Sequence, residues 1–170
     1  MNEINQIDPV ALSKYVVNYV HDLGDKISHL KLQKLLYYCD AWHMVYFDGR
    51  QLINEEFEAW MHGPVVRSVW DYYKDESVLY GDIQPAPLMF NISDILNEEQ
   101  FEVVNDVLDE YGKRTAYHLE CLTHNERPWK EARRGYASCD RCEEIISKVT
   151  TRDFYSKMLY DETETESTQV

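Results

Sequence analysis

The stretch LKLQKLLYYCDAWHMVYF, residues 30–47, decides the fold. Ser28 is placed to cap a helix running through it, and the Asp48-Gly49 pair is a turn that stops it. Leu32, Leu35, Leu36, Cys39, Trp42 and Tyr46 recur at helical spacing on one face, while Tyr37, Tyr38, Met44 and Val45 spread apolar surface around most of the circumference. A helix apolar nearly all round belongs at the centre of a bundle.

Elements on either side support that arrangement. Asp8 as N-cap and Pro9 at the first helical position open a preceding helix whose apolar stripe (Leu12, Tyr15, Val16, Tyr19, Val20, Leu23) ends at Gly24. Downstream, Leu52 to Met61 reads as a short extended segment, with Phe57, Ala59 and Met61 alternating against Glu56, Glu58 and Trp60. His62-Gly63-Pro64 closes it: glycine permits an unusual dihedral, and proline is suited to the first turn of a following helix, VVRSVWDYYK. Residues 75–92, with Gly81, Pro85 and Pro87, form a long loop.

Asn97 and Gln100 make a capping box for a helix that ends at Gly112. TAYHLECLTH and PWKEARRG follow as two shorter helices, and Ile145-Ile146 as an extended piece. Thr151 is expected to cap a last helix, RDFYSKMLY, and the acidic residues 161–170 are expected to be a disordered tail. The predicted fold class is therefore mainly α. It is a single compact domain over residues 1–160, with about six helices and a short β element near residues 52–62.

Composition narrows the function classes. The chain has 170 residues and a formal net charge of −14. A protein that neutralises phosphates needs an excess of Lys and Arg, so direct nucleic acid binding is not expected. The charge is unevenly divided: residues 1–112 carry 7 basic and 20 acidic side chains, residues 113–160 carry 10 and 7, and the last ten carry 4 acids. No apolar run approaches the roughly 20 residues that span a bilayer, and the N-terminus lacks a basic-then-apolar signal, so a cytoplasmic protein with no membrane contact is expected. Four cysteines are too few for a disulfide scaffold and read as thiols.

Three segments in this order carry a resemblance: LKLQKLLYYCDAWH (30–43), EFEAWMHGPVVRSVWDYY (56–73) and LECLTHNERPWKEAR (119–133). Their paired Leu and Tyr residues, A-W-x-x-G-P-V turn and L-T-H-x-x-x-P-W segment resemble the Panacea, or SocA-like, domain over roughly residues 10–160. That family comprises mainly helical bacterial and phage proteins encoded beside toxic proteins. The resemblance implies an antitoxin in a two-gene toxin–antitoxin module, neutralising a cognate protein toxin by direct binding. It implies no cofactor and does not name the toxin or the oligomeric state. A protease adaptor that delivers a client, with the acidic tail as its flexible element, is the alternative.

Cys121-x-x-His124 and Cys139-x-x-Cys142, separated by fourteen residues, have the ligand types of a Cys3His zinc site. The alternative is that Cys121 lies on the inward face of its helix, His124 belongs to the Thr-His turn, and Cys139 and Cys142 are incidental; since the resemblance implies no metal, free thiols are the preferred reading. No serine stands in a nucleophile-elbow pattern, and the histidines are scattered, so no enzyme is expected. His62, Gly63, Pro64, Thr123, His124, Pro128 and Trp129 read as structural motif residues, the last three as a turn fastened by an aromatic side chain. Four tryptophans and thirteen tyrosines exceed what a core needs, which makes Tyr37, Tyr38, Trp60, Tyr72 and Tyr80 candidates for partner contact. Arg67, with Arg127, Lys130, Arg133 and Arg134, could meet an acidic partner or pair internally.

Overall fold

A computed structural model describes residues 3–168. Helices α1 (Pro9–Asp22) and α2 (His29–Tyr46) lead into a hairpin, β1 (Glu58–Trp60) and β2 (Gly63–Val65). Then come α3 (Arg67–Tyr73), a 3-10 turn at Ile92–Asp94, α4 (Glu98–Tyr111), α5 (Ala116–Asn125), α6 (Arg127–Ala132) and α7 (Lys148–Ser167). The expected mainly α architecture is present, with seven α-helices among the described residues rather than about six.

Helix α2 is the axle. Of its 18 residues, 16 are buried, and α1, α3, α4, α5, α7 and β2 all pack on it. That burial includes polar side chains, each of which then needs a partner. The Asp40 carboxylate accepts from the backbone N–H groups of Leu52 and Ile53 and from Lys148, so it anchors both the α2–β1 connection and the start of α7. The Tyr38 hydroxyl donates to Glu126 at 2.6 Å, and Tyr155 binds the other oxygen of the same carboxylate. Burial raises the pKa of Glu126 and those of both tyrosines.

Most helix starts obey local chemistry. Asp8, Ser28 and Asn97 cap as expected, the last in a reciprocal box with Gln100, and Thr115 caps α5. Three expectations need correction. Pro64 does not start a helix; it lies in β2 opposite Ala59, and α3 begins at Arg67. Ala59 donates its N–H to Glu144, on the side of β1 away from β2, so the 144–146 segment lines that edge and Pro64 is left where no ladder donor is required. Ser147, not Thr151, caps the last helix; Thr151 sits inside it and donates its hydroxyl to the Ser147 carbonyl. The expected disordered tail is instead helical: α7 continues to Ser167, exposed from Tyr160 on, with residues 169–170 outside the described range.

Candidate functional site

The hairpin turns at Gly63, whose φ of +104° lies in the region that favours glycine. A second requirement acts there. A Cβ at position 63 would lie 2.4 Å from Lys34 Cε and 2.9 Å from Thr123 Oγ1. Lys34 itself is fully buried, and its ammonium donates to the Pro64 carbonyl at 3.0 Å. Burial lowers its pKa to about 7, only partly opposed by the Glu120 carboxylate.

The other motif residues close around the same point. His62 Nδ1 donates to Glu120 at 2.7 Å, and the Thr123 hydroxyl donates to the Glu120 carbonyl. The His124 ring stacks on Trp129 with centroids 4.1 Å apart, and the Trp129 indole N–H donates to the Trp60 carbonyl at 2.9 Å. Pro128 opens α6 and is buried. These contacts tie α2, the hairpin, α5 and α6 into one unit. His124 Nε2 is buried without a partner among the described residues, and burial lowers that ring's pKa.

Above this unit lies a cleft of about 530 Å³ between the N-terminal half of α2, the hairpin, α3 and the loops at 74–82 and 135–147. Its walls are aromatic. His29 stacks on Trp70 at 4.9 Å, and Trp70 meets Trp60 edge to face at 5.3 Å. Arg67 lies over Trp60, pairs through two nitrogens with Glu58 at 3.1 and 2.8 Å, and reaches Glu143, which also pairs with Arg141.

Of the candidate partner contacts, Trp60 lines the cleft and Arg67 lies over its ring; Tyr72, 54% exposed beneath Lys14 of α1, and Tyr80, 69% exposed on the loop after α3, are not on the cleft's lining. Tyr37 and Tyr38 do not join them. They are 3% and 0% exposed, packed against Phe57 and Tyr155, and as partner contacts they are corrected to core residues. The cysteines and His124 do not converge either: no three His, Cys, Asp or Glu side chains gather to hold a metal among the described residues. Cys139 is exposed and Cys142 buried, both beside the cleft, whereas Cys121 stands on α5. Nor do the arginines form one patch. Arg133 is buried, donating to the carbonyls of Ala59, Ala137 and Asp140, and Arg127 pairs with Glu131.

Lys34, Glu120 and Glu126 are the organising residues that sequence reasoning missed, and Arg133, weighed there as a surface charge, is a fourth whose role is buried. A signal existed for Lys34, a charged residue inside a helix apolar on nearly all sides, which must find an internal acceptor.

The family described as Antitoxin SocA-like, Panacea domain matches residues 32–130, a span that includes the hairpin, Lys34 and the α5–α6 turn. Antitoxin SocA of Caulobacter vibrioides (strain NA1000 / CB15N) is 30% identical over 131 residues, covering 72% of this chain and 69% of that protein. No solved structure matches. The ordered motifs, their convergence beneath the hairpin and these two matches place the chain in the SocA-like antitoxin family that carries the Panacea domain.

Proposed function

We propose that this protein neutralises a cognate protein toxin in the cytoplasm by binding it directly, without chemistry of its own and without contacting nucleic acid or membrane. The observation that carries this reading is the exposed aromatic and aliphatic rim around the cleft. Trp60, Met61 and Val78 line the cleft, Arg67 lies over Trp60, and Tyr72 and Tyr80 are exposed on α3 and the loop after it, while the hairpin is braced from beneath by buried hydrogen bonds. Tyrosine, tryptophan and arginine are the side chains that dominate binding energy at interfaces, and a braced rim loses little entropy on binding. The net charge of −14 favours a basic toxin and speeds its encounter. No helix among the described residues is long and apolar enough to cross a membrane. The adaptor alternative relied on a flexible tail, whereas α7 is helical to Ser167.

Co-expression with the product of the adjacent gene tests the proposal. Restored growth and a co-purifying complex are the expected results. Toxicity unrelieved by this chain, with no complex recovered, would reject the reading.

A further inference from the structure

We propose that the cleft binds a free hydrophobic carboxylic acid as its monoanion, with the carboxylate on Lys34 and the apolar body against Trp60 and Trp70. Three buried polar side chains stand on the lining, and their hydrogen bonds set one of them apart. His29 donates from Nδ1 to the Ser77 carbonyl at 2.6 Å and accepts from Gln33 at Nε2. Gln33 engages the rest of its amide on Val66, donating to the carbonyl and accepting from the N–H. Lys34 has capacity left: its ammonium carries three N–H donors, and the Pro64 carbonyl takes one of them. The side chain is fully buried, so water does not take the other two, and the acceptor they lack is one that a ligand in the cleft can bring.

Charge fixes the kind of acceptor. Glu120, the carboxylate that acts on Lys34 from α5, has its Oε1 on His62 at 2.7 Å. Across the cleft Arg141 is matched by Glu143. The lining therefore carries one uncompensated positive charge, in a chain whose formal net charge is −14. Burial holds the Lys34 pKa down to about 7, and a carboxylate beside the ammonium offsets that penalty. A single charge suits a monoanion. A phosphate would bring a second negative charge to walls made of Leu30, Val65, Val78 and two indoles, where nothing answers it.

Those walls fix the rest of the molecule. A space of about 530 Å³ is the size of a small-molecule site, and an apolar body there covers Trp60 and Trp70, which meet edge to face at 5.3 Å. The carboxylate end of a protein chain is a poorer match than a free acid. It carries its own peptide N–H and the preceding carbonyl to nearly the same depth, where His29 and Gln33 are already engaged, and those groups would lose water without gaining partners.

The test titrates the full chain with 3-phenylpropanoate, its neutral amide, and acetyl-Ala-Phe bearing a free carboxylate. The indole N–H signals of Trp60 and Trp70 are followed by NMR and affinity by calorimetry. The acid should shift both signals and bind about tenfold tighter than the amide at pH 6. Its affinity should fall about tenfold between pH 6 and pH 8 as Lys34 loses its proton, while that of the amide stays level. The other titratable groups around Lys34 are His29 on its own helix, His62 on the hairpin, and Glu120 and His124 on α5. Lys34→Met separates them from the lysine: with its fold checked by a melting curve, it should lose both the preference for acid over amide and the pH dependence. The comparison of acid with amide on the unaltered chain decides the matter even where that variant does not fold. Absent shifts at Trp60 and Trp70, equal binding of acid and amide, or a pH dependence that survives Lys34→Met would overturn the assignment. Tighter binding of acetyl-Ala-Phe than of 3-phenylpropanoate would give the cleft to a protein C-terminus and overturn the free-acid reading.

Discussion

Gly63→Ala probes the point on which the hairpin turns. An alanine there must hold φ near +104°, which costs about 1–3 kcal/mol for a residue with a side chain. Its Cβ also starts 2.4 Å from Lys34 Cε and 2.9 Å from Thr123 Oγ1. The end of a lysine usually swings away at little cost. This one is fully buried, with its ammonium held on the Pro64 carbonyl, so relief requires backbone movement, costing a further 1–3 kcal/mol or about that. The expected loss is about 2–6 kcal/mol, a large part of the roughly 5–15 kcal/mol that holds a domain together. Urea denaturation gives the number, with an unchanged m-value showing that the native state is intact. The decisive comparison is Gly63→Ala in a Lys34→Ala background. Without the lysine stem most of the clash disappears, so the cost there should fall to the backbone share, leaving a coupling above about 1 kcal/mol. A Gly63→Ala cost below about 1 kcal/mol, or the same cost in both backgrounds, would refute the argument that Lys34 and the glycine are a fitted pair.

Lys34 also predicts a pH dependence. Its pKa is about 7 in the folded chain against an ordinary 10.5, so between those values the unfolded chain holds a proton that the native one has released. Stability should therefore rise with pH across that window, by at most about 1.4 kcal/mol per unit from this group, and Lys34→Met should flatten the slope in urea midpoints. Among the cysteines, Cys139 is exposed while Cys39 and Cys142 are buried, and burial raises the Cys39 pKa further. A thiol reagent should accordingly label Cys139 before the other two, which react only as the chain opens; fast labelling of Cys39 in the native protein would contradict the packing. Truncation after Tyr160 removes, among the described residues, only exposed side chains, so stability should change by no more than about 0.5 kcal/mol and growth rescue should persist. Loss of rescue at unchanged stability would favour tail-dependent delivery.

What was legible in the sequence was local chemistry. The caps at Asp8, Ser28 and Asn97 were readable because each acts on backbone donors within three residues. The central position of α2 was readable because apolar side chains on nearly every face leave no side for water. Pro64 misled because the local signal of proline, a favoured helix start, carries no trace of a strand partner at Ala59 or of Glu144 on the far edge. The tail misled differently. Acidic composition argues for disorder when nothing nucleates order, yet a Ser147-capped helix already fastened by Tyr155 can propagate through good helix formers such as Glu162, Glu164 and Glu166. Tyr37 and Tyr38 looked like interface material because the Glu126 carboxylate that satisfies Tyr38 lies 88 residues away.

The placement of the motif residues bears on what family membership can and cannot specify. His62, Gly63, Pro64, Thr123 and Trp129 spend their polar and steric capacity on one another's elements: Glu120, Lys34 and the Trp60 carbonyl absorb them. Little of that chemistry is left to face a partner. The side chains that do face outward, Tyr72, Val78 and Tyr80, lie on α3 and the following loop, where a substitution disturbs few buried contacts. Motif and recognition are thus divided between two layers, a braced base and an exposed rim set upon it. A base of this kind fixes where the rim stands without fixing what it recognises. Resemblance carried by the base therefore identifies an antitoxin scaffold while leaving the toxin to be read from the rim's own shape and charge.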